Sequence, residues 1–425
     1  MAGFFRESDV NKPVIVDQES AARPLPASDA ISRGVSATPV YVVLGGISVS
    51  HFLNDTMQSL IPSIYPILKE NYALDFTQIG LITLTFQITA SLLQPVVGAV
   101  TDRKPQPYSL AIGMGSTFVG LLLLSVAHAY AVILIAAGLI GLGSAIFHPE
   151  SSRIARLASG GRYGFAQSVF QVGGNSGSAI GPMLAALIVV PFGQPSIAWF
   201  SLIAATAMVI LWRIGRWYKP RIMPRVSKAM ARHPNAPSPR RTALAIAILI
   251  VLVFSKFIYM SSLTSYYTFF LIHKFGVSTQ ASQLFLFLFL AATAVGTFFG
   301  GPIGDRIGRR YVIWFSILGT LPFTLMLPFA SLFWTAVLSV VIGFVISSAM
   351  PAIIVYAQEL MPHRFGMISG LFFGFSFGAG GIGAALLGIV ADHRGIDFVY
   401  NVCAVLPAIG LLAFFLPKMP RLALR

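Results

Sequence analysis

The chain has 425 residues, of which 56% are hydrophobic and 10% charged, and its 29 Lys and Arg against 14 Asp and Glu give a net charge of +15. A soluble globular protein is about 25% charged, so there are too few ionisable side chains to cover a soluble enzyme of this size. The positive charge would suit a nucleic-acid binder, but a mean hydropathy of +0.79 ties it instead to the Lys and Arg excess on the cytoplasmic side of a membrane protein.

Residues 1–38 are polar and hold 5 of the 14 acids. They contain no long apolar core, so they read as a disordered cytoplasmic tail and not as a signal peptide. Beyond them the charges thin out. The stretches 76–101, 105–149, 163–212, 275–304, 311–358, 365–391 and 398–417 contain no Asp, Glu, Lys or Arg. The segments 40–68 and 242–273 are interrupted only by Asp55 and Lys256. A helix needs about 20 apolar residues to cross the hydrocarbon core, and the long runs each have room for two. Twelve spans are expected: 40–68, 77–100, 108–128, 131–152, 164–189, 196–217, 242–272, 279–300, 311–329, 332–358, 366–390 and 398–417. Backbone groups cannot stay unpaired in lipid, and the runs do not alternate as barrel strands do, so an all-α membrane fold follows. With both termini on one side, 25 of the 29 basic residues fall on that side, which the positive-inside rule makes the cytoplasm.

The chain repeats itself at an offset of about 202 residues. Pro149 falls on Pro351, Gly164 on Gly366 and Gly181 on Gly383. The expected organisation is a six-helix bundle over 39–218, a basic Pro-rich cytoplasmic linker over 219–241, a second six-helix bundle over 242–417 and a tail over 418–425. Two parallel six-helix repeats are a secondary-transporter plan, with the solute site at their interface near the midplane. The lone Cys403 can form no internal disulfide.

A charge inside a span is costly and is a functional candidate by default. In span 1, His51, Asn54, Asp55 and Gln58 share one helix face. Gln87 and Gln94 share a face of span 2, and Gln167, Gln171, Asn175 and Ser178 share a face of span 5. Span 4 ends in His148-Pro149-Glu150 with Arg153 at i+3 from the glutamate. Span 7 carries Lys256, followed by Tyr259, Tyr266 and Tyr267.

The segment Gly301-Pro-Ile-Gly-Asp305-Arg306-Ile-Gly308-Arg309-Arg310 resembles the loop signature of the major facilitator superfamily, between spans 8 and 9. A copy at Gly98, Asp102 and Arg103 lies between spans 2 and 3 but lacks the double arginine, and is expected to latch less firmly. Acids beside arginines can make bonds that break when two halves rock. The stretches SHFLNDTMQSLIPSIYP, TLTFQITASLLQPVVG, FHPESSRIARLASGGR, AQSVFQVGGNSGS, SKFIYMSSLTSYYTF and YAQELMP resemble the fosmidomycin-resistance efflux proteins of Gram-negative bacteria. That resemblance implies a drug exporter of the inner membrane driven by proton exchange.

The polar residues suit an anionic solute. Lys256 and Arg153 can bind a phosphonate or carboxylate, and His51, Asn54, Gln58, Gln87, Gln94, His148, Gln167, Gln171, Asn175, Tyr259 and Tyr266 can complete the site. Asp55, then Glu150, then His51 or His148, are the candidates to carry the proton. Plainer readings stand beside these. Asp55 can be a static counter-ion of Lys256, Glu150 a structural partner of Arg153 or Arg156, and His148 a cap for carbonyls freed by Pro149. The glutamines can be interhelical glue, and Gly173, Gly177 and Gly181 of span 5 close-packing residues. No HExxH, no phosphate-cradling GxxxxGK[ST] and no cysteine pair is present, so neither an enzyme nor an ATP-driven pump is expected. A monomer without metal or cofactor, working on a small anionic drug, protons and the bilayer but not on nucleic acid, is the resulting expectation. A transporter of a natural phosphorylated or carboxylated metabolite is the alternative.

Overall fold

The structure is a computed structural model describing residues 38–74, 76–222, 238–362 and 364–417. The polar tail, most of the linker and the segment 418–425 fall outside the described residues. Among the described residues there is helix and turn but no strand, as expected where every backbone group must be satisfied inside its own segment.

Twelve helical segments follow one another. They are α1 (Tyr41–Ser63, continued by Tyr65–Asn71), α2 (Phe76–Gln87, Ile88–Leu92 and Leu93–Arg103) and α3 (Ser109–Ser125). Next come α4 (Tyr130–Leu157), α5 (Tyr163–Leu184, then Ala185–Val189 and Val190–Phe192) and α6 (Gln194–Trp199, then Phe200–Tyr218). The second half comprises α7 (Pro239–Phe275), α8 (Thr279–Ile307), α9 (Arg309–Leu318, Leu321–Met326 and Leu327–Phe329) and α10 (Leu332–Ser347 and Ala349–Leu360). It ends with α11 (Phe365–Arg394) and α12 (Ile396–Ala404 and Leu406–Phe415). Among the described residues, nine helices are long and apolar enough to cross a membrane, and α3 is a shorter apolar helix. The remaining two, α1 and α5, carry the polar stripes.

Each expected span coincides with a helix. The main difference lies at the ends: α2 runs on to Arg103, α4 to Leu157 and α8 to Ile307, two, eight and three residues past the charge-free runs. Helical hydrogen bonding continues past the hydrocarbon, so charge-free length marks the membrane part and not the whole helix. These extensions carry the loop-signature acids. We call the end they form the basic end, after the Lys and Arg of its loops.

Helices α1 and α5 touch backbone to backbone. A Cβ on Gly173 or Gly177 would strike the carbonyls of Ser48 or Phe52, and one on Gly181 would strike the Ser59 hydroxyl. Ser48 Oγ donates to the Val169 carbonyl at 2.7 Å across the same contact. Close packing is therefore what the four-residue glycine spacing does here. In α2 the helix widens over Ile88–Leu92 into a π-type turn, a local bulge often found beside functional positions. Gln87 and Gln94 flank it.

Candidate functional site

The polar stripe of α1 packs against α4 and α5. Asp55 is 8% exposed, while His51 and His148 are 3% and 0% exposed. The Asp55 carboxylate lies 3.3 Å from His51 Nε2 and 3.8 Å from His148 Nε2. Asn54 Nδ2 donates to Asp55 Oδ1 at 3.0 Å and Gln58 Nε2 at 3.3 Å, and Ser178 Oγ donates to Oδ2 at 3.5 Å. The rings are fixed from behind. His51 Nδ1 bonds the Phe170 carbonyl at 2.7 Å, and His148 Nδ1 bonds the Ser144 carbonyl at 3.0 Å. His51 also stacks on Phe170, with centroids 4.1 Å apart. Phe373 and Phe377 of the other half stand 5.3 and 5.4 Å from His148.

Two plainer readings are changed by these contacts. Asp55 is not the counter-ion of Lys256, because its basic neighbours within 4.0 Å are the two histidines. Among the described residues, Lys256 has no ion-pair partner; it is 4% exposed, with Nζ 5.1 Å from the Phe257 ring centroid. Nor does His148 cap the carbonyl that Pro149 leaves without its helical donor, which is that of Ala145. It bonds Ser144 instead.

The amides divide. Among the described residues, Gln171 is buried with Nε2 unpartnered, and Gln167 accepts from Ser152 Oγ at 2.9 Å while its own Nε2 is unpartnered. Asn175 Nδ2 donates to Thr297 Oγ1 of α8 at 3.2 Å. Gln94 donates to the Ala90 carbonyl of its own helix at 2.7 Å, and Ser91 and Gln87 approach at 3.5 Å. On α7, Tyr259 and Tyr267 are buried, Tyr266 donates to the Ala384 carbonyl at 2.6 Å and Tyr267 to the Thr335 carbonyl at 3.3 Å.

The basic end is closed by two matching clasps. At α2, the Asp102 carboxylate accepts the backbone N–H groups of Gly366 and Met367 at 3.0 and 2.8 Å. At α8, Asp305 accepts those of Gly164 and Phe165, both at 3.0 Å. Each acid thus occupies the N-terminus of a helix in the other half, where unpaired N–H groups and the helix dipole favour an anion. Only glycine fits where the helices cross. A Cβ on Gly98 would strike the Gly366 carbonyl, and one on Gly301 the Gly164 carbonyl.

Arginines complete both clasps. Arg309 bonds Asp305 at 2.9 Å and Glu359 at 3.2 Å. The first loop lacks this arginine, but Arg153 of α4 takes its place, 2.7 Å from Asp102 and 3.1 Å from Glu150. The expectation of a looser first loop is therefore corrected: a neighbouring helix supplies the missing cation. A second correction concerns Arg153 as an anion binder. Its guanidinium is committed to Asp102, Glu150 and Thr101, at the end of the bundle. Arg103 and Arg306 are exposed, Arg310 donates to the Phe414 carbonyl at 2.6 Å, and Gly308 ends α8 at φ 108°.

Between the clasps lies a polar knot that sequence reasoning missed. Arg156 donates to Gln358 Oε1 at 3.2 Å, and Gln358 Nε2 donates to Ser152 and Ser369 at 3.1 and 2.8 Å. The Arg156 guanidinium sits 4.0 Å from the Tyr163 ring centroid and 4.6 Å from that of Phe365. Arg156 and Gln358 are 202 residues apart, one repeat. That register, together with Gln358 lying in the YAQELMP stretch, was the available signal.

A bundle of two helical repeats, with polar groups buried near mid-span and one end clasped, defines a membrane transporter. The sequence model of the Major Facilitator Superfamily matches residues 47–287 and 249–425, and the chain belongs to that superfamily. It is a multi-pass membrane transporter and not an enzyme. It is 57% identical over 396 residues to the fosmidomycin resistance protein of Escherichia coli (strain K12), covering 93% of this chain and 97% of that one. It is 41% identical over 404 residues to an MFS-type transporter of Bacillus subtilis (strain 168), covering 94% and 98%. Its fold matches the crystal structure of the MFS transporter FucP with a TM-score of 0.71 at 15% identity, over 90% of this chain and 100% of that one.

Proposed function

We propose that the protein exports fosmidomycin or similar small anionic antibiotics in exchange for protons, by alternating access across the bacterial inner membrane. The basic end, both termini and the linker face the cytoplasm, as the charge asymmetry argues. The choice of solute rests on the 57% identity to the fosmidomycin resistance protein. The observation that carries the exchange is Asp55, a carboxylate inside a span with two histidines beside it. Such a group is retained in a membrane where it binds and releases a charge.

The division of labour follows from position. Asp55 takes the proton, with His51 and His148 adjusting the charge around it. Lys256, buried without a carboxylate partner among the described residues, is the cation for a phosphonate or carboxylate, and Gln171 and Gln167 offer amide donors to the solute. Glu150 sits beneath Arg153 and couples to the clasp. Rocking of the halves breaks the Asp102 and Asp305 clasps and opens the basic end. The proton gradient supplies the energy, and a single copy of the chain contains the whole device.

Inverted membrane vesicles test this. Wild-type vesicles should accumulate fosmidomycin when a proton gradient is imposed, and Asp55→Asn vesicles with equal amounts of folded protein should not. Normal proton-driven uptake by Asp55→Asn removes Asp55 from the role. Gradient-driven transport of a phosphorylated or carboxylated metabolite that fosmidomycin cannot inhibit replaces the antibiotic as solute.

A further inference from the structure

We propose that His51, His148 and Asp55 form a binding site for a divalent transition-metal ion of the zinc class. One ligand atom from each of the three lies within 4.8 Å of the others. The carboxylate stands 3.3 Å from one imidazole nitrogen and 3.8 Å from the other. Zinc bonds to nitrogen and oxygen are about 2.0–2.2 Å, so tetrahedral neighbours lie a little over 3 Å apart. The three ligand atoms, within 4.8 Å of one another, must draw in by up to about 1 Å to close around an ion.

The chemistry of the donors argues the same way. Each ring points its Nδ1 at a backbone carbonyl, which can only accept. Nδ1 therefore carries a hydrogen, and whenever the ring is neutral Nε2 presents a bare lone pair. Both Nε2 atoms are buried, and neither has a hydrogen-bond partner among the described residues. The 3.3 Å approach to Asp55 satisfies the ion-pair distance but not the alignment of a hydrogen bond. With both rings neutral, two lone pairs and a carboxylate converge there, an arrangement that repels itself unless a positive species sits between them.

The surroundings are those of a metal site. Metal-bound histidines usually donate their other N–H to a carbonyl or carboxylate, and ligating carboxylates are themselves hydrogen-bonded. Here the carbonyls of Phe170 and Ser144 hold the rings, and Asn54, Gln58 and Ser178 hold Asp55. Room is kept by Gly174, since a Cβ there would meet His51 Nε2 and Asp55 Oδ2. Nitrogen donors select zinc, cobalt, nickel or copper over magnesium and calcium, which prefer oxygen. Three protein ligands leave a fourth position for water.

Binding does not depend on the transport reading. Inhibition does: if Asp55 carries the exchanged proton, an ion on the same atoms stops the exchange.

The test uses the full-length protein, tag-free, in detergent and stripped of metal. Co2+ is the probe and Zn2+ the competitor. One Co2+ per chain should bind with the intense visible absorption of a four-coordinate ion, and Zn2+ should bleach it. His51→Ala and His148→Ala should each weaken binding by at least about 100-fold, beyond the roughly 10–100-fold typical of losing an outer partner. Gly174→Ala should weaken it too, while His128→Ala and His273→Ala, at exposed positions, leave it unchanged. Absence of the four-coordinate spectrum in the wild type overturns the proposal without reference to any variant. Equal affinity in His51→Ala, His148→Ala and wild type also overturns it. In vesicles, Zn2+ at saturating concentration should abolish proton-driven transport. Site-specific binding that leaves transport intact keeps the metal site and instead removes Asp55 from the proton role.

Discussion

Asp102 and Asp305 occupy equivalent places in the two repeats, and each accepts two backbone N–H groups from the first turn of a helix in the opposite half. The donors, Gly366 and Met367 against Gly164 and Phe165, are themselves one repeat apart. The clasp is thus built twice. Hydrogen bonds to a charged group contribute about 1.5–3 kcal/mol each.

Removing either acid should therefore open the basic end. Asp102→Ala or Asp305→Ala, each losing two such bonds, should move the equilibrium between closed and open ends by roughly 100–10,000-fold, since about 1.4 kcal/mol is a factor of ten. The double variant should move it further. Spin labels on Lys104→Cys and Arg364→Cys, exposed on opposite sides of the first clasp, read the change once Cys403 is replaced by Ser. Distances unaltered by loss of both acids would show that other contacts hold this end shut.

The glycines at the crossings make a steric prediction. Gly98→Val and Gly301→Val put carbon where the Gly366 and Gly164 carbonyls lie. The halves cannot then come together at this end, and the protein should fold but transport poorly, with the same label pair held at its longer distance. Gly45, which has nothing within 4 Å of a built Cβ, is the matched control. Full transport by Gly98→Val would mean that the crossing never closes so tightly in the working cycle.

Most of the fold was legible because lipid removes alternatives: a charge-free run of about 20 residues has to be a helix. Span count, repeat and loop signature all follow from spacing. The site was legible only in part. Helical periodicity placed His51, Asn54, Asp55 and Gln58 on one face, but it carries no information on which helix lies opposite. The pairing of Asp55 with His148, some 90 positions later, depends on α1 packing beside α4. The same blindness misassigned Arg153, whose partner Asp102 comes from α2. Gly174 was passed over because the four-residue glycine rhythm drew attention to Gly173 and Gly177.

Lys256 sets function against stability. A lysine at the middle of a span costs on the order of 2.5–3.5 kcal/mol, and this one has no ion-pair partner among the described residues. Lys256→Met keeps an unbranched chain, shorter only by the terminal ammonium, and removes the charge. It should raise thermal stability in detergent by about 1–3 kcal/mol while weakening fosmidomycin more than a neutral solute. Thermal unfolding of the purified protein and competition binding measure the two effects. Equal losses for charged and neutral solutes would contradict an anion-binding role.

Arg153 should behave in the opposite way. Its partners Asp102, Glu150 and Thr101, with Tyr218 beside them, are all protein groups. Arg153→Lys keeps the charge but loses the fork that reaches them together. Breaking a buried pair leaves the other charge uncompensated at about 3–5 kcal/mol, so Arg153→Ala should reduce the yield of folded protein and Arg153→Lys is the informative change. It should lower the maximal transport rate at least several-fold and leave the KM for fosmidomycin within about twofold, because closure and not solute contact is impaired. Lys256→Met should instead raise KM. Initial rates in vesicles over a range of fosmidomycin concentrations separate the two, and a KM raised by Arg153→Lys with an unchanged maximal rate would return Arg153 to the solute site.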